Sequence, residues 1–170
     1  SPAADSVPAM AACGVKAVVV GPNGEREVAV QDIPVSPGKT SLTKGEFVKE
    51  LVLPALPANS GDAYLRFIPR TEMDIAVVGA GVQIQLAGNG TIAKASVWLG
   101  AVAPTIVEVD ASCLIGTKLD DAAMAKLDAA AQAVCNPIDD KRGTIEYRTK
   151  VAGVMARRTA EIAFKRAGAR

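Results

Sequence analysis

Short apolar runs separated by glycine and proline dominate the first third of the chain. Residues 15–20 are rich in valine, residues 21–24 read Gly-Pro-Asn-Gly, and residues 26–30 lead back towards apolar positions. This pattern predicts an antiparallel hairpin with a loop longer than two residues. Residues 33–39 contain two prolines and a glycine, so we expect them to be irregular.

A second apolar run at residues 47–53 follows the sequence Thr43-Lys44-Gly45-Glu46. The threonine and glutamate have the spacing of a capping box, which predicts a helical turn that runs into a strand. Residues 54–62 then contain two prolines, a serine and a glycine. We interpret this stretch as a linker between two structural units.

The middle of the chain has the clearest alternation of apolar and polar residues. Valine, isoleucine and leucine alternate with glutamine over residues 82–86, which is the pattern of a strand with one buried face. Gly88-Asn89-Gly90 predicts a tight turn after it. Further extended segments are predicted at residues 64–68, 91–99 and 105–109, giving an antiparallel sheet of three or four strands.

The last third of the chain is helical in pattern. Asp120 is a good N-cap for an alanine-rich helix that runs to about Cys135, and Asn136-Pro137 ends it. A second helix is predicted from about Thr144 to Ala167. Its broad apolar face is expected to contain Tyr147, Val151, Val154, Met155 and Ile162. Two helices on one face of an antiparallel sheet predict an α+β fold.

Composition and charge exclude several classes of function. The 170 residues contain 19 Lys plus Arg and 18 Asp plus Glu, a net charge of +1, which gives no electrostatic reason to expect nucleic acid. No apolar run approaches the roughly 20 residues of a membrane span. The chain has no histidine, which excludes Ser-His and Cys-His catalytic pairs.

The three cysteines are Cys13, Cys113 and Cys135. Their odd number and wide spacing fit reduced thiols in a cytoplasmic protein better than a disulfide framework. With no Cys-x-x-Cys pair and no histidine, a zinc site or an iron–sulfur cluster held by this chain alone is not expected. We interpret the cysteines as small core residues.

Residues 77–82, Val-Val-Gly-Ala-Gly-Val, resemble the start of a dinucleotide-binding fingerprint. Ile84 occupies the position of the third glycine, and the residues that follow alternate as in a strand. A Rossmann turn must instead open a helix that receives the pyrophosphate. We therefore expect these glycines to allow close packing or a bulge inside a sheet.

Several motifs in order along the chain resemble the FAD-binding medium subunit of the molybdenum hydroxylases, the xanthine dehydrogenase and carbon monoxide dehydrogenase group. They are Ser-Pro-x-x-Asp-x-x-Pro at residues 1–8, Pro-Gly-Lys-Thr at 37–40, Gly-Glu at 45–46, Tyr-Leu-Arg-Phe at 64–67 with Arg70, Asp-Ile-Ala-Val-Val-Gly at 74–79, Leu-Gly-Ala-Val-Ala-Pro-Thr at 99–105, Pro-Ile-Asp-Asp at 137–140, Arg-Gly at 142–143 and Tyr-Arg at 147–148. Ala101 replaces the second glycine of the family's Gly-Gly-Val-Ala-Pro-Thr. Each motif is weak alone, and their order and spacing make the combination specific.

The resemblance implies a domain arrangement and a function. Residues 1–56 would be the end of an FAD-binding domain, and residues 62–170 the medium subunit's C-terminal α+β domain. The family's FAD domain begins more than a hundred residues earlier, so we expect the chain to be a fragment that lacks the N-terminal half of that domain. Electrons would pass from iron–sulfur clusters to FAD and then to an external acceptor. The isolated fragment is expected to be inactive.

The resemblance also implies the partners. FAD would be bound partly by this chain, whereas the molybdenum cofactor and [2Fe-2S] clusters would belong to a molybdenum large subunit and an iron–sulfur small subunit. The alternative function is a non-catalytic scaffold or interaction module of such a complex, without its own flavin. The missing pyrophosphate-binding segments favour that alternative.

Three residues are candidates for cofactor binding on the family pattern. Asp5 matches a carboxylate that hydrogen-bonds a hydroxyl of the FAD sugar-alcohol chain; the alternative is a cap for a short helix that begins near Ser6. Arg66 occupies the place of a lysine beside the flavin ring, and its alternative is a surface pair with Glu72 or Asp74. Val48 matches an aliphatic cofactor contact, and without the family match it is interpreted as a core residue.

A cluster of charged residues precedes the last predicted helix. Asp139, Asp140 and Arg142 have the appearance of a catalytic cluster. We favour a structural role for them, as an ion-paired start of that helix. Glu46 is interpreted in the same way, as the acid of the capping box.

Overall fold

The computed structural model describes residues 1–71 and 73–169 and contains three helices and nine strands within them. The helices are α1 (Ser6–Ala12), α2 (Asp121–Ala133) and α3 (Ile145–Gly168). The strands are β1 (Lys16–Gly21), β2 (Gly24–Ala29), β3 (Pro34–Ser36), β4 (Lys39–Thr40), β5 (Phe47–Val52), β6 (Ser60–Phe67), β7 (Val78–Leu86), β8 (Ile92–Gly100) and β9 (Val107–Val109). These elements form the α+β architecture that the sequence predicts.

The N-terminal hairpin is part of a small three-stranded sheet with the order β2-β1-β5. Gly21 pairs with Gly24, so the loop contains two residues and the prediction of a longer loop is wrong. Gly24 has a φ of +107°, which glycine adopts readily, and this lets the chain reverse over Pro22 and Asn23 alone. The segment expected to be irregular forms the short β3-β4 ladder.

The segment after the predicted capping box is a strand from its first residue and contains no helical turn. The Glu46 carboxylate does accept a hydrogen bond from the Thr43 backbone N–H at 2.7 Å, as in a capping box. This hydrogen bond closes a tight turn and does not start a helix. Arg26 also donates to Glu46 at 2.8 Å, and β5 pairs with β1 from its first residue.

The second sheet has four strands in the order β6-β7-β8-β9, all antiparallel, as the alternating pattern predicts. Alternate residues of β7, including Val82 and Ile84, are fully buried in the main core. Ala63, Leu65 and Phe67 of β6 contribute to the same core. This face of the sheet is the one that α2 and α3 cover.

Both C-terminal helices begin at side-chain caps. Asp120 accepts from the Ala123 N–H at 2.9 Å, and Thr144 accepts from the Tyr147 N–H at 3.2 Å, which satisfies N-terminal amides that have no partner inside the helix. Helix α3 packs on β6 and β7, and α2 packs beside α3. The N-cap predicted at Asp120 is confirmed.

The buried face of α3 agrees only in part with the predicted one: Met155 is buried, and Val151 and Ile162 pack against the core as partly buried residues. Tyr147 is 43% exposed, whereas Arg148 is 3% exposed. The rest of the buried face consists mainly of small residues: Ala152, Gly153, Met155, Ala156, Thr159, Ala160, Ala163 and Ala167. Small side chains allow the helix to approach the sheet closely, and a Cβ built on Gly61 of β6 would lie 2.3 Å from the Ala163 carbonyl oxygen.

Helix α1 covers the other face of the four-stranded sheet. It packs on β7 and β8, and a Cβ built on Gly81 would lie 2.4 Å from the Pro8 carbonyl oxygen. Gly79 and Gly81 lie within strand β7 and open no helix. The glycine-rich segment therefore provides close packing, as expected, and forms no dinucleotide-binding turn.

A smaller apolar cluster joins α1 to the three-stranded sheet. It contains Ala11, Val15, Ala17, Val30 and Ile106. Among the residues that the structure describes, no helix combines the length and the apolar character needed to cross a bilayer.

Candidate functional site

Asp5 and Arg66 meet on the α1 side of the four-stranded sheet. Asp5 occupies the N-cap position of α1, but its side chain makes no capping hydrogen bond. Its Oδ2 instead accepts from Arg66 Nη1 at 2.5 Å, and its Oδ1 accepts from the Tyr64 hydroxyl at 3.2 Å. The helix-cap alternative for Asp5 is thus replaced by contacts with strand β6.

The period of strand β6 explains why Tyr64 and Arg66 lie together. Residues two apart in a strand point to the same face, and the intervening Leu65 packs into the core under α3. Gly79 lies opposite Arg66 in the ladder. A Cβ built on Gly79 would lie 2.7 Å from the Tyr64 hydroxyl oxygen, so the glycine leaves room for the phenol ring.

The three side chains form a polar group that solvent can reach. The side chains of Asp5 and Arg66 are 38% and 39% exposed. Partial burial, assisted by the negative charge of Asp5, raises the pKa of Tyr64 well above its usual value. The Tyr64 hydroxyl therefore stays protonated at neutral pH and donates to Asp5.

Arg66 does not form the alternative surface ion pair with Asp74. The Asp74 carboxylate binds Arg142 Nε at 2.8 Å and Arg70 Nε at 3.3 Å. The other alternative partner, Glu72, lies outside the described residues. Arg66 is paired with Asp5, which is 61 positions earlier in the chain.

Val48 lies on a different element from the other two candidates. It is part of strand β5 and pairs with Val19 of β1. Its side chain is 38% exposed, so it is not a core residue in this chain. The structure thus brings together two of the three predicted cofactor-binding residues.

The charged cluster before α3 is ion-paired, as the structural interpretation predicts. The Asp140 carboxylate binds Arg148 Nη2 at 2.5 Å and lies 3.8 Å from Arg142 Nη1. Backbone and arginine hydrogen bonds, first the Arg142 N–H and then the Arg148 guanidinium, lower the pKa of Asp140. The Asp139 side chain accepts from the Ile145 N–H and so holds the first turn of the helix.

Two residues of these polar groups were not predicted from the sequence. Tyr64 could have been found, because it is two residues before Arg66 and must share its face of a strand. Arg148 had no such signal, because a buried arginine in a helix has the same sequence pattern as an exposed one. Its guanidinium donates to the Val77 carbonyl at 3.0 Å, which joins α3 to the start of β7.

A cavity of about 340 Å³ is separate from the Asp5–Arg66 pair, and its walls are apolar apart from Asp140, Arg142 and Arg148. The remaining lining residues are Pro2, Ala3, Pro37, Ile75, Ala76, Ala101, Ala103, Pro104 and Ile138. Within residues 1–71 and 73–169, no group of three or more His, Cys, Asp or Glu side chains is arranged to hold a metal ion.

The cysteines are free and half-buried. Burial raises the pKa of Cys135 to about 11 and, with the charge of Asp62 as a second cause, raises the pKa of Cys13. Thiols with raised pKa values are poor nucleophiles. This agrees with their interpretation as packing residues.

Comparison with known proteins defines the class of this fold. The chain superposes on a chain of "Reconstituted CO dehydrogenase from Oligotropha carboxidovorans" with a TM-score of 0.90 and 36% sequence identity, over 98% of this chain and 58% of that one. The fold of this chain is therefore the fold of that CO dehydrogenase chain.

The sequence comparison gives the family. The model described as "CO dehydrogenase flavoprotein C-terminal domain" matches residues 63–163, which is more than half of the chain. The chain belongs to this family. The resemblance inferred from the short motifs is confirmed.

Two curated relatives cover most of the chain. The carbon monoxide dehydrogenase medium chain of Afipia carboxidovorans is 37% identical over 96% of this chain. The medium chain of Hydrogenophaga pseudoflava is 33% identical over 88% of it. The chain spans about half the length of these relatives, 57% and 52% respectively.

Proposed function

We infer that this chain is part of the FAD-binding medium subunit of a molybdenum hydroxylase, in which electrons pass from iron–sulfur clusters on a partner chain to FAD and on to an external acceptor. The single observation that carries this proposal is the contact of Asp5 with Arg66 on one exposed surface, in a chain that belongs to the flavoprotein family. On the motif resemblance both residues match cofactor positions of the family, and they are 61 positions apart in the sequence.

The side chains at this surface fit a flavin nucleotide. An ionised carboxylate has about four lone-pair sites, and Asp5 uses two of them for Tyr64 and Arg66. The remaining capacity suits the hydroxyl groups of a sugar-alcohol chain, which are hydrogen-bond donors. FAD, when bound, supplies the ring that accepts and releases the electrons.

Arg66 and Tyr64 would have different roles from Asp5. The Arg66 guanidinium is always charged and would stabilise negative charge on a neighbouring aromatic ring system. Tyr64 positions the Asp5 carboxylate through its hydrogen bond. Val48, exposed on β5, would contribute an aliphatic contact to the same cofactor from the small sheet.

Residues 1–56 would complete an FAD-binding domain, and residues 62–170 would form the C-terminal domain. An iron–sulfur small subunit and a molybdenum large subunit would supply the other redox groups. The chain by itself would then oxidise no substrate. The free thiols favour the reducing environment of the cytoplasm.

Binding of FAD to the purified chain tests the proposal. We expect quenching of flavin fluorescence on titration and yellow protein after desalting. Asp5→Asn and Arg66→Gln should each weaken binding by about tenfold, in keeping with the loss of one charged hydrogen bond. Glu27→Gln and Lys16→Gln are matched controls, because these residues form an ion pair at 2.9 Å on the β1–β2 hairpin.

Two results would contradict the flavin site. Colourless protein with no fluorescence change would favour the alternative, a scaffold module without its own flavin. Equal losses of affinity in the Asp5 and Glu27 variants would show that charge on the surface in general, and not this pair, attracts the cofactor.

A further inference from the structure

The cavity beside the start of α3 has the size and the lining of a small-molecule site. Ligand pockets have volumes of roughly 300–1,000 Å³ and combine apolar walls with a few polar groups. This cavity has a volume of about 340 Å³, and segments far apart in the chain, at Pro2, Ala103 and Ile138, form its apolar walls. An apolar cavity of about 150 Å³ is large enough to bind benzene. The cavity therefore has room for an aromatic ring or a short alkyl chain together with a polar group.

Two large apolar side chains of the cavity wall are exposed to solvent. Ile75 is 55% exposed and Ile138 is 68% exposed, and both line the cavity. Contiguous exposed apolar side chains with polar residues around them are a feature of ligand-binding grooves. A ligand with an apolar body would remove these side chains from water, which is favourable.

The charged residues of the cavity wall leave a surplus positive charge. They are Asp140, Arg142 and Arg148. The three guanidinium nitrogens of Arg148 are all engaged, with the Val77 carbonyl at 3.0 Å, the Asp140 carboxylate at 2.5 Å and the Gly143 carbonyl at 3.4 Å. Arg148 therefore neutralises Asp140, and the positive charge of Arg142 is left to attract an anion.

Arg142 has hydrogen-bonding capacity that its protein contacts do not use. Its Nε donates to the Asp74 carboxylate at 2.8 Å, and its Nη1 lies 3.8 Å from Asp140 Oδ2, which is beyond hydrogen-bond distance. The two terminal nitrogens thus have no hydrogen-bond partner among residues 1–71 and 73–169. The fork of a guanidinium group matches the two oxygens of a carboxylate.

We propose that this cavity is a second ligand site, which binds a small organic carboxylate with an apolar body. The carboxylate pairs with the terminal nitrogens of Arg142, while Asp74, whose side chain is 7% exposed, fixes the orientation of the guanidinium through Nε. The apolar body lies between Ile75, Ala103 and Ile138. The surplus positive charge disfavours a cationic ligand, and the apolar walls disfavour a small inorganic anion, which would lose its hydration without compensation.

Titration of benzoate into the purified chain tests the proposal in the absence of FAD, so the result does not depend on the flavin site. We expect saturable binding with a dissociation constant at or below about 1 mM. Amide chemical shifts in NMR spectra should change at Ile75, Ala103 and Ile138. Benzyl alcohol, which has the same ring without the charge, should bind at least tenfold more weakly, and inorganic phosphate should leave these amides unchanged.

Variants separate the charged and apolar parts of the site. Arg142→Gln should weaken benzoate binding at least tenfold, and Arg142→Lys should fall between that variant and the wild type, because lysine keeps the charge and loses the fork. Lys141→Gln is the matched control at the neighbouring exposed cation, and its affinity should stay within twofold. Circular dichroism shows whether each variant is folded.

A variant of the apolar wall tests the cavity with Arg142 and its bond to Asp74 intact. Ala103→Leu places a larger side chain in the cavity and should also weaken benzoate binding at least tenfold. The loss should be similar for octanoate, because an alkyl chain would occupy the same space as the ring.

Four outcomes would overturn the proposal. The first is the absence of saturable binding by benzoate, and the second is equal affinity for benzoate and benzyl alcohol. The third is binding that Arg142→Gln and Ala103→Leu leave unchanged, or that shifts only amides elsewhere in the chain. The fourth is displacement of benzoate by FAD, which would assign the cavity to the flavin.

Discussion

Asp5 and Arg66 form an ion pair at 2.5 Å although each side chain is more than a third exposed to solvent. Exposed pairs of this kind contribute little to stability, because water and salt screen the attraction. We expect a coupling free energy of at most about 1 kcal/mol. A double-mutant cycle with Asp5→Asn and Arg66→Gln, measured by urea unfolding at low and high salt, checks this value. A much larger coupling that is insensitive to salt would contradict the prediction.

Arg148 differs from the exposed Asp5–Arg66 pair because it is buried. Its side chain is 4% exposed and satisfies both the Asp140 carboxylate and the Val77 carbonyl. Arg148→Met leaves the carbonyl without its donor, so the protein should lose about 1–3 kcal/mol of unfolding free energy. Arg158→Met, at an exposed position of the same helix, should change stability by less than about 0.5 kcal/mol. Similar losses in both variants would show that the burial of Arg148 is not the cause.

The Glu46 carboxylate should make stability depend on pH in the acid range. Hydrogen bonds from Arg26 and then from the Thr43 N–H lower its pKa from 4.5 to about 2. A lowered folded-state pKa stabilises the fold above the unfolded pKa, and this stabilisation is lost as the pH falls through the folded pKa. The difference in melting temperature between wild type and Glu46→Gln should therefore be largest above about pH 5 and shrink towards pH 2.

The control for this pH dependence is Glu50→Gln, at an exposed position of strand β5. Its melting temperature should follow that of the wild type over the same range. If the difference in melting temperature between wild type and Glu46→Gln grew as the pH fell, the pH dependence would have the opposite sign. That result would contradict the lowered pKa of Glu46.

Ala101 occupies a backbone conformation that suits glycine. Its φ is +66°, and its N–H donates to the Pro2 carbonyl at 2.7 Å, which holds the start of the chain to the end of β8. An L-residue with a side chain is strained in this region, so Ala101→Gly should raise the unfolding free energy by roughly 0.5–1 kcal/mol.

Ala103→Gly provides the control for Ala101, because Ala103 is not among the residues with positive φ. Added freedom in the unfolded chain should lower its stability. Thermal unfolding of both variants should therefore give shifts of opposite sign. A loss of stability in Ala101→Gly would contradict the strain argument.

Much of the fold could be predicted because local pattern and tertiary packing agree. The alternation over residues 82–86, the caps at Asp120 and Thr144 and the break at Pro137 all follow from local chemistry. The buried face of α3 could not be predicted in this way. Hydrophobicity favoured the large residues, but α3 approaches the sheet so closely at Gly61 that only small residues such as Ala163 fit there. Tyr147, near the other end of the helix, is 43% exposed.

The candidate site was predictable only in part. Motif similarity identified Asp5 and Arg66, and strand periodicity could have added Tyr64. The ion pair itself depends on α1 lying across β7, which is a contact between segments more than 60 residues apart. A single sequence contains no signal for such a contact, and the same reason explains why the burial of Arg148 was not predicted.

The position of α1 has a consequence for where this module can be divided. The family match begins at residue 63, inside strand β6 and far downstream of the helix that covers Gly81. A fragment that begins at residue 63 would lack α1, and the face of the four-stranded sheet that α1 covers would be exposed to solvent. Recombination or protein engineering that moves the C-terminal unit intact must therefore carry the first dozen residues as well, although they come from the other end of the chain.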